Sequence, residues 1–231
     1  MGQAKKRVRR EFEFPNGWGG TRKGAGAKPK GERAGVPHAG REEFAARFPV
    51  HVTMKVKGGL PSMRRGSAHS VLIASFAATR GRADFRLVHY SIQSNHLHLL
   101  CEARDRGELA RAIQGLAVRI AKRLNALWKR AGKLFADRYH AHVLRSPREV
   151  RHALSYVLNN AAKHGVAVAI GRPDPFSSGR WFDGWRGRAS ALDSPPSPLS
   201  RAKTWLLSVG WSLHGPIEIA GVQAPPAECV P

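Results

Sequence analysis

Residues 93–101, Gln93-Ser94-Asn95-His96-Leu97-His98-Leu99-Leu100-Cys101, carry the pattern from which the fold is read. Ser94-Asn95 are turn formers, and the apolar residues after them make a short strand. Side chains alternate across a strand, so His96 and His98 share one face while Leu97, Leu99 and Cys101 share the other. Two imidazoles side by side above an apolar underside are half of a divalent-metal site. Taken alone, a His-x-His pair is more simply two histidines on a solvated face. The weight comes from a second stretch, Ser155-Tyr156-Val157-Leu158-Asn159-Asn160.

The neighbouring elements follow from periodicity. Phe85 to Ile92 is a strand, joined by a tight turn to His96–Glu102 as an antiparallel hairpin. Pro49 to Val56 alternates, with Val50, Val52, Met54 and Val56 on one face, and Gly58-Gly59 ends it. Ser62 to Thr79 carries Val71, Leu72, Ser75 and Phe76 at helical spacing, closed by Gly81. Gly107 to Arg130 is the longest helix, with Leu109, Ile113, Leu116, Ile120, Leu124 and Leu127 as its apolar stripe. Leu134 to Leu144 is strand-like, with a bend near Asp137. A last helix opens at Ser146-Pro147-Arg148-Glu149, where Ser146 caps and Pro147 suits the first helical position, and Gly165 is placed to stop it. The first six elements match the split βαβ, ferredoxin-like motif. The expected fold is therefore α+β: an antiparallel sheet with two helices on one face, His96 and His98 on the other, and a C-terminal helix bearing the candidate catalytic residue.

Around this core, 49–170, lie two segments of different texture. Residues 1–48 hold 12 Lys and Arg against 5 Asp and Glu, a net +7. They are rich in Gly and Pro and read as a disordered arm lying along phosphates through Lys5, Lys6, Arg7, Arg9, Arg10, Arg22, Lys23, Lys28 and Lys30. Residues 171–231 read as a Pro/Trp/Arg-rich linker and loosely structured tail with one short helix from Ser200 to Gly210. Its cluster Trp181, Phe182 and Trp185 fits stacking on unpaired bases and packing on the core equally well.

A net charge of +23 and a pI near 11.4 point to a polyanionic partner, most simply nucleic acid. No apolar run approaches membrane-spanning length, so no membrane partner is expected. Two distant cysteines, Cys101 and Cys229, exclude a disulfide framework and make a reducing compartment the default.

On the last helix Val150, Leu154, Val157 and Ala161 form the apolar stripe, and Tyr156 lies off it. His152, Asn160 and Lys163 stand at i−4, i+4 and i+7 from Tyr156, on one flank. Tyrosine is a poor nucleophile because its pKa is near 10. It becomes useful when the electrophile is a polarised phosphodiester. Two histidines and one amide oxygen leave open positions, which suits Mg²⁺ or Mn²⁺ better than closed tetrahedral Zn²⁺. His140-Ala141-His142 also has strand spacing but lacks a following helix with a matching Tyr and amide, so it reads as strand surface. Tyr139 reads as structural for the same reason.

Ser94-Asn95-His96-Leu97-His98-Leu99-Leu100 resembles the His-hydrophobic-His motif of the single-tyrosine HUH transposases. Leu134 to Tyr139 and Tyr156 to Gly165 resemble the later part of the same proteins, most closely the REP-associated tyrosine transposase branch of the IS200-like superfamily. The likeness covers about residues 49–165. It implies a nuclease acting on single-stranded or hairpin DNA, as monomer or homodimer, in a prokaryotic, nucleoid-associated cytoplasmic setting. It implies His96 and His98 as metal ligands, Tyr156 as nucleophile forming a 5′-phosphotyrosine and freeing a 3′-OH, and Asn160 as third ligand. Arg119, Lys122, Arg123 and Lys163 add to the candidate DNA contacts. Two differences stand out: Asn160-Ala161 replaces the branch's usual Asn-Pro, and Ser94 replaces a commoner proline. The alternative is a catalytically silent, sequence-specific DNA-binding protein of domesticated transposase origin. An RNA-binding ferredoxin-like domain would need aromatic residues on the open sheet face, where this chain has histidines.

Overall fold

The computed structural model describes residues 41–163, 171–186 and 196–220. The basic arm up to residue 40, the helix stop at Gly165 and Cys229 lie outside them.

Four strands form one antiparallel sheet in the order β2-β3-β1-β4: β1 (Val50–Lys55), β2 (Phe85–Ile92), β3 (His96–Ala103) and β4 (His140–Val143). With α1 (Gly66–Ala77) between β1 and β2 and α2 (Arg106–Leu127) between β3 and β4, this is the ferredoxin-like α+β fold. Both helices pack on the face formed by Val50, Val52, Met54, Leu97, Leu99 and Cys101, the first of two cores. Asp105 caps α2 by accepting from the Glu108 N–H, and Ser146 caps α3 (Pro147–Leu158) by accepting from the Glu149 N–H. The strand expected over 134–144 shrinks to β4. Leu134 to Tyr139 joins the end of β1 through the Val56–Phe135 bridge and through bonds from the Lys57 N–H to the Leu134 carbonyl and from the Ala136 N–H to the Lys55 carbonyl.

The second sheet face is not open. Helix α3 and the segment after residue 171 cover it, building a second core from Val88, Leu100, Leu154, Val157, Phe182, Trp185, Leu206 and Trp211. A bulge makes this possible. In β2, Leu87 pairs with Cys101 but His89 pairs with Leu100, so Val88 is an extra residue that shifts the alternation by one. Phe85 and Leu87 before it, and Tyr90 and Ile92 after it, then all reach the first core, while Val88 joins the second.

The segment after 171 has little regular structure: two 3₁₀ turns, Ser178–Trp181 and Gly210–His214, and α5 (Trp205–Ser208). It is nevertheless bound tightly. The fully buried Glu102 carboxylate pairs with Arg86 at 2.6 Å and accepts from the Lys203 N–H and from the N–H and hydroxyl of Thr204. Arg64 forks onto buried Asp174 through two 2.8 Å bonds. The outer edge of β2 is closed by bonds from the Ile92 N–H to the Phe176 carbonyl and from the Ser200 N–H to the Leu87 carbonyl. Phe182 and Trp185 are core residues, which decides between the two readings of that aromatic cluster. Residues 41–48, read as the end of the arm, also pack on the domain: Phe44 and Phe48 lie against the first core, and Glu42 and Glu43 pair with Arg145 and Arg106.

Removing Glu102 orphans a buried guanidinium and three donors at once. Glu102→Ala should lower unfolding free energy by about 3–5 kcal/mol, measured by urea denaturation, and should raise protease cleavage after residue 196 before elsewhere.

Candidate active site

The site grows from strand register. Thr53 lies opposite His98 and Lys55 opposite His96, while β4 sets His142 opposite His51 and His140 opposite Thr53. Residues directly opposite share a face. His51, Thr53, His98, His140 and His142 therefore line one side of the sheet, and α3 lays Glu149, His152, Ala153 and Tyr156 over them. The result is a cleft of about 450 Å³.

His98 is its hub, only 5% exposed. Its Nδ1 lies 3.1 Å from His51 Nε2 and 3.2 Å from Thr53 Oγ1. Its ring meets Tyr156 edge-on with centroids 5.2 Å apart, and His96 edge-on at 4.8 Å. His96 stands at the turn with Nδ1 2.8 Å from Asn95 Oδ1, an acceptor that puts the ring proton on Nδ1 and the lone pair on Nε2. Tyr156 is half-buried, with the His51 ring centroid 6.0 Å away. Two residues 58 positions apart, His98 and Tyr156, are thus in contact.

The helix expected to run through Asn160 breaks. α3 ends at Leu158, Asn159 leaves helical geometry at φ −103° and ψ 13°, and a single turn, α4, spans Asn160–Lys163. Tertiary demand explains the break. The Asn159 amide donates to the Glu218 carbonyl and accepts from the Ala220 N–H, clamping the tail. The continuous flank through Tyr156, Asn160 and Lys163 is therefore interrupted, and Asn160 does not line the cleft. It is fully buried, and neither its amide nitrogen nor its oxygen has a hydrogen-bond partner. Such a group costs roughly 1–3 kcal/mol unless something satisfies it.

Among the described residues no group of three or more His, Cys, Asp or Glu is arranged to hold a metal. The imidazoles of His96 and His98 and the orphaned Asn160 amide are the groups whose chemistry would suit such an ion. The donor set of two imidazoles and one amide oxygen fits a divalent ion.

Sequence reasoning missed His51. Its signal was register: in a strand whose even positions are Val50, Val52, Met54 and Val56, the odd positions face wherever His98 faces. His140 and His142, read as plain strand surface, are exposed as expected but border the same cleft as Tyr156. Tyr139 lies on the opposite side, packed against the first core beneath Arg41 at 3.7 Å, and burial raises its phenol pKa. Of the basic residues read as DNA contacts, Lys5, Lys6, Arg7, Arg9, Arg10, Arg22, Lys23, Lys28 and Lys30 lie outside the described residues, as does the Lys163 side chain. Arg119, Lys122 and Arg123 stand on α2, in the layer opposite the cleft, half-buried to exposed. Lys55, exposed and paired in register with His96, is the basic residue nearest the histidine pair in the sheet.

An antiparallel ferredoxin-like sheet with a His-x-His strand and a tyrosine helix laid over it defines a recognisable class of domain. Residues 50–160, just under half of the chain, match the family model described as Transposase IS200 like. Among solved structures, a REP-associated tyrosine transposase bound to a REP hairpin superposes with a TM-score of 0.51 at 14% identity, covering 62% of this chain and 82% of that one. No curated protein matches the chain. No helix among the described residues is long and apolar enough to cross a membrane.

Two buried histidines set a pH limit. Burial lowers His89, enclosed by Ser178 and Phe182, to about 4. Burial, then the charges of His142 and His140, lowers His51 to about 4. An unfolded chain protonates both near 6.5, so unfolding takes up protons below that pH. Stability should be flat above pH 6.5 and fall as pH drops toward 4, and His89→Gln should shallow that slope in denaturation curves taken across the range.

Proposed function

We propose that this protein is a single-strand DNA transferase in which Tyr156 attacks a DNA phosphodiester. The contact that supports this most directly is that of Tyr156 with His98. It sets a phenol beside one imidazole of the pair, in a cleft open to solvent. His96 and His98, with Asn160 as the third donor, would hold Mg²⁺ or Mn²⁺, which would supply Lewis-acid polarisation of the phosphodiester.

The chain's own groups do the rest. The Tyr156 oxygen forms a bond to phosphorus as the bond from phosphorus to the 3′-oxygen breaks. The strand end keeps its 5′-phosphate on the tyrosine, and the leaving 3′-oxygen takes a proton to become a free 3′-OH. The rings of His98 and His51 both pack against the tyrosine ring, which limits the orientational freedom left to lose in the transition state. Arg119, Lys122 and Arg123, on the far layer, contact flanking phosphates, as does the basic arm with Lys163. Single-stranded or hairpin DNA is the substrate class, since the nucleophile must reach a phosphate unobstructed by a paired strand. The RNA-platform alternative fails on geometry, because the sheet face that bases would stack on is covered by α3 and the tail.

Labelled hairpin DNA incubated with the protein and Mn²⁺ should yield a covalent adduct. Tyr156→Phe keeps the ring and the fold but should abolish the adduct, whereas Tyr139→Phe should retain it. His96→Ala and His98→Ala should cut adduct formation by at least about 10²-fold, a loss of roughly 2.7 kcal/mol of transition-state stabilisation, with hairpin binding nearly intact. An adduct persisting in Tyr156→Phe would move the nucleophile elsewhere. Absence of adduct in every protein, with tight hairpin binding, would favour the silent DNA-binding alternative.

The arm has its own test. Residues 1–40 carry 10 Lys and Arg against 3 Asp and Glu, a net +7. Deleting them, while keeping the packed residues from 41 on, should weaken hairpin binding and shallow its dependence on salt, since fewer counterions are released. An unchanged salt slope would make the arm a solubilising tail.

A further inference from the structure

The His51 ring packs beside two groups of the proposed site. Its Nε2 is 3.1 Å from His98 Nδ1, its ring centroid 5.2 Å from that of His98 and 6.0 Å from that of Tyr156. Thr53 Oγ1 stands 3.2 Å from the same His98 nitrogen. His98 can therefore carry its proton on Nδ1 and donate it to His51 or Thr53, which puts the lone pair on Nε2. A ligating imidazole works in that state, with its second nitrogen bonded to an outer partner that fixes tautomer and ring angle.

We infer that His51, assisted by Thr53, is the positioning residue of the site, fixing the His98 tautomer so that Nε2 is presented to the divalent ion while the His51 ring sets the distance to Tyr156. This rests on the proposal that His98 is a metal ligand. β1 and β3 are adjacent strands in one register, so the relation of His51 to His98 is built by the sheet and needs no loop to close. His51 and Thr53 are both two-sided: each can accept from His98 and, through its own proton, bond outward. Neither is required to touch DNA. His140 and His142 lie on the next strand in register with Thr53 and His51, so the outward side of His51 faces further imidazoles rather than a carboxylate. His51 is accordingly a neutral acceptor for His98, a weaker outer partner than a carboxylate would be, and the Thr53 hydroxyl shares the task.

The test uses the full chain and Mn²⁺ alone, with free ion followed by its electron paramagnetic resonance signal. Wild type should bind, and His98→Ala should lose binding. His51→Phe, which keeps a ring of similar size but removes the acceptor, should weaken Mn²⁺ about 10–100-fold with little change in Tm. His51→Gln, which restores an acceptor oxygen, should recover a large part. Thr53→Val should cost less alone than in combination with His51→Phe, because either acceptor can serve. In hairpin cleavage His51→Phe should show a raised Mn²⁺ requirement with unchanged hairpin affinity. Wild-type Mn²⁺ binding in His51→Phe alongside loss in His98→Ala overturns the inference and leaves the metal site standing. Equal loss in His51→Phe and His51→Gln with a fallen Tm also overturns it, since His51 then acts through packing. Equal Mn²⁺ binding by wild type and His98→Ala refutes the metal site itself, and the inference with it.

Discussion

β3 has no face turned to water. It sits inside the sheet, between β2 and β1, with α1 and α2 on one side and α3 and the C-terminal segment on the other. From Leu97 to Ala103 every residue is buried. That constraint organises the remaining structure, because polar side chains on β3 must find partners inside the protein or exact a desolvation penalty. Glu102 recruits Arg86 from β2 and the backbone of Lys203 and Thr204, and so holds the C-terminal segment to the sheet. His98 recruits His51 and Thr53 from β1, and so builds the cleft. One strand thus docks the tail at one end and sets the chemistry at the other.

The two cores divide the work. The first, apolar and filled by both long helices, carries the fold. The second is thinner and includes the segment after residue 171, whose few turns would have no stability alone. Its stability comes from Trp185, Trp211 and Phe182 filling the space that α3 leaves uncovered, and from two buried ion pairs, Arg86–Glu102 and Arg64–Asp174, that fix its path. Because α3 belongs to this layer, the position of Tyr156 depends on the tail. Asn159 shows the coupling at one residue: its amide bonds the backbone at Glu218 and Ala220, and the same residue ends the helix and sets the course of the chain into Asn160.

The charge is distributed by layer. Helix α2, in the layer opposite the cleft, carries Arg106, Arg111, Arg119, Lys122 and Arg123, and the cleft itself is lined by imidazoles with the single carboxylate of Glu149. Among the described residues, the cleft lining holds no Lys or Arg.

The sequence by itself determined the order of elements, the face on which His96 and His98 lie, and the off-stripe position of Tyr156. All three follow from local periods, two residues per repeat in a strand and 3.6 in a helix, which survive any packing that buries the apolar set. Even the bulge was written locally, in the slip from Phe85 and Leu87 to Tyr90 and Ile92. Tertiary structure alone decided the rest. Which strand lies beside β3 is a matter of sheet order, and only that order brings His51 and Thr53 to His98. Whether Phe182 and Trp185 meet bases or the core depends on where the tail docks, which is set by Glu102 and by Arg64, the partner of Asp174, both far away in the chain. The break at Asn159 was invisible because helix periodicity continues through it; the interaction that ends the helix comes from the backbone near residue 220, and no local pattern records a partner 60 residues distant.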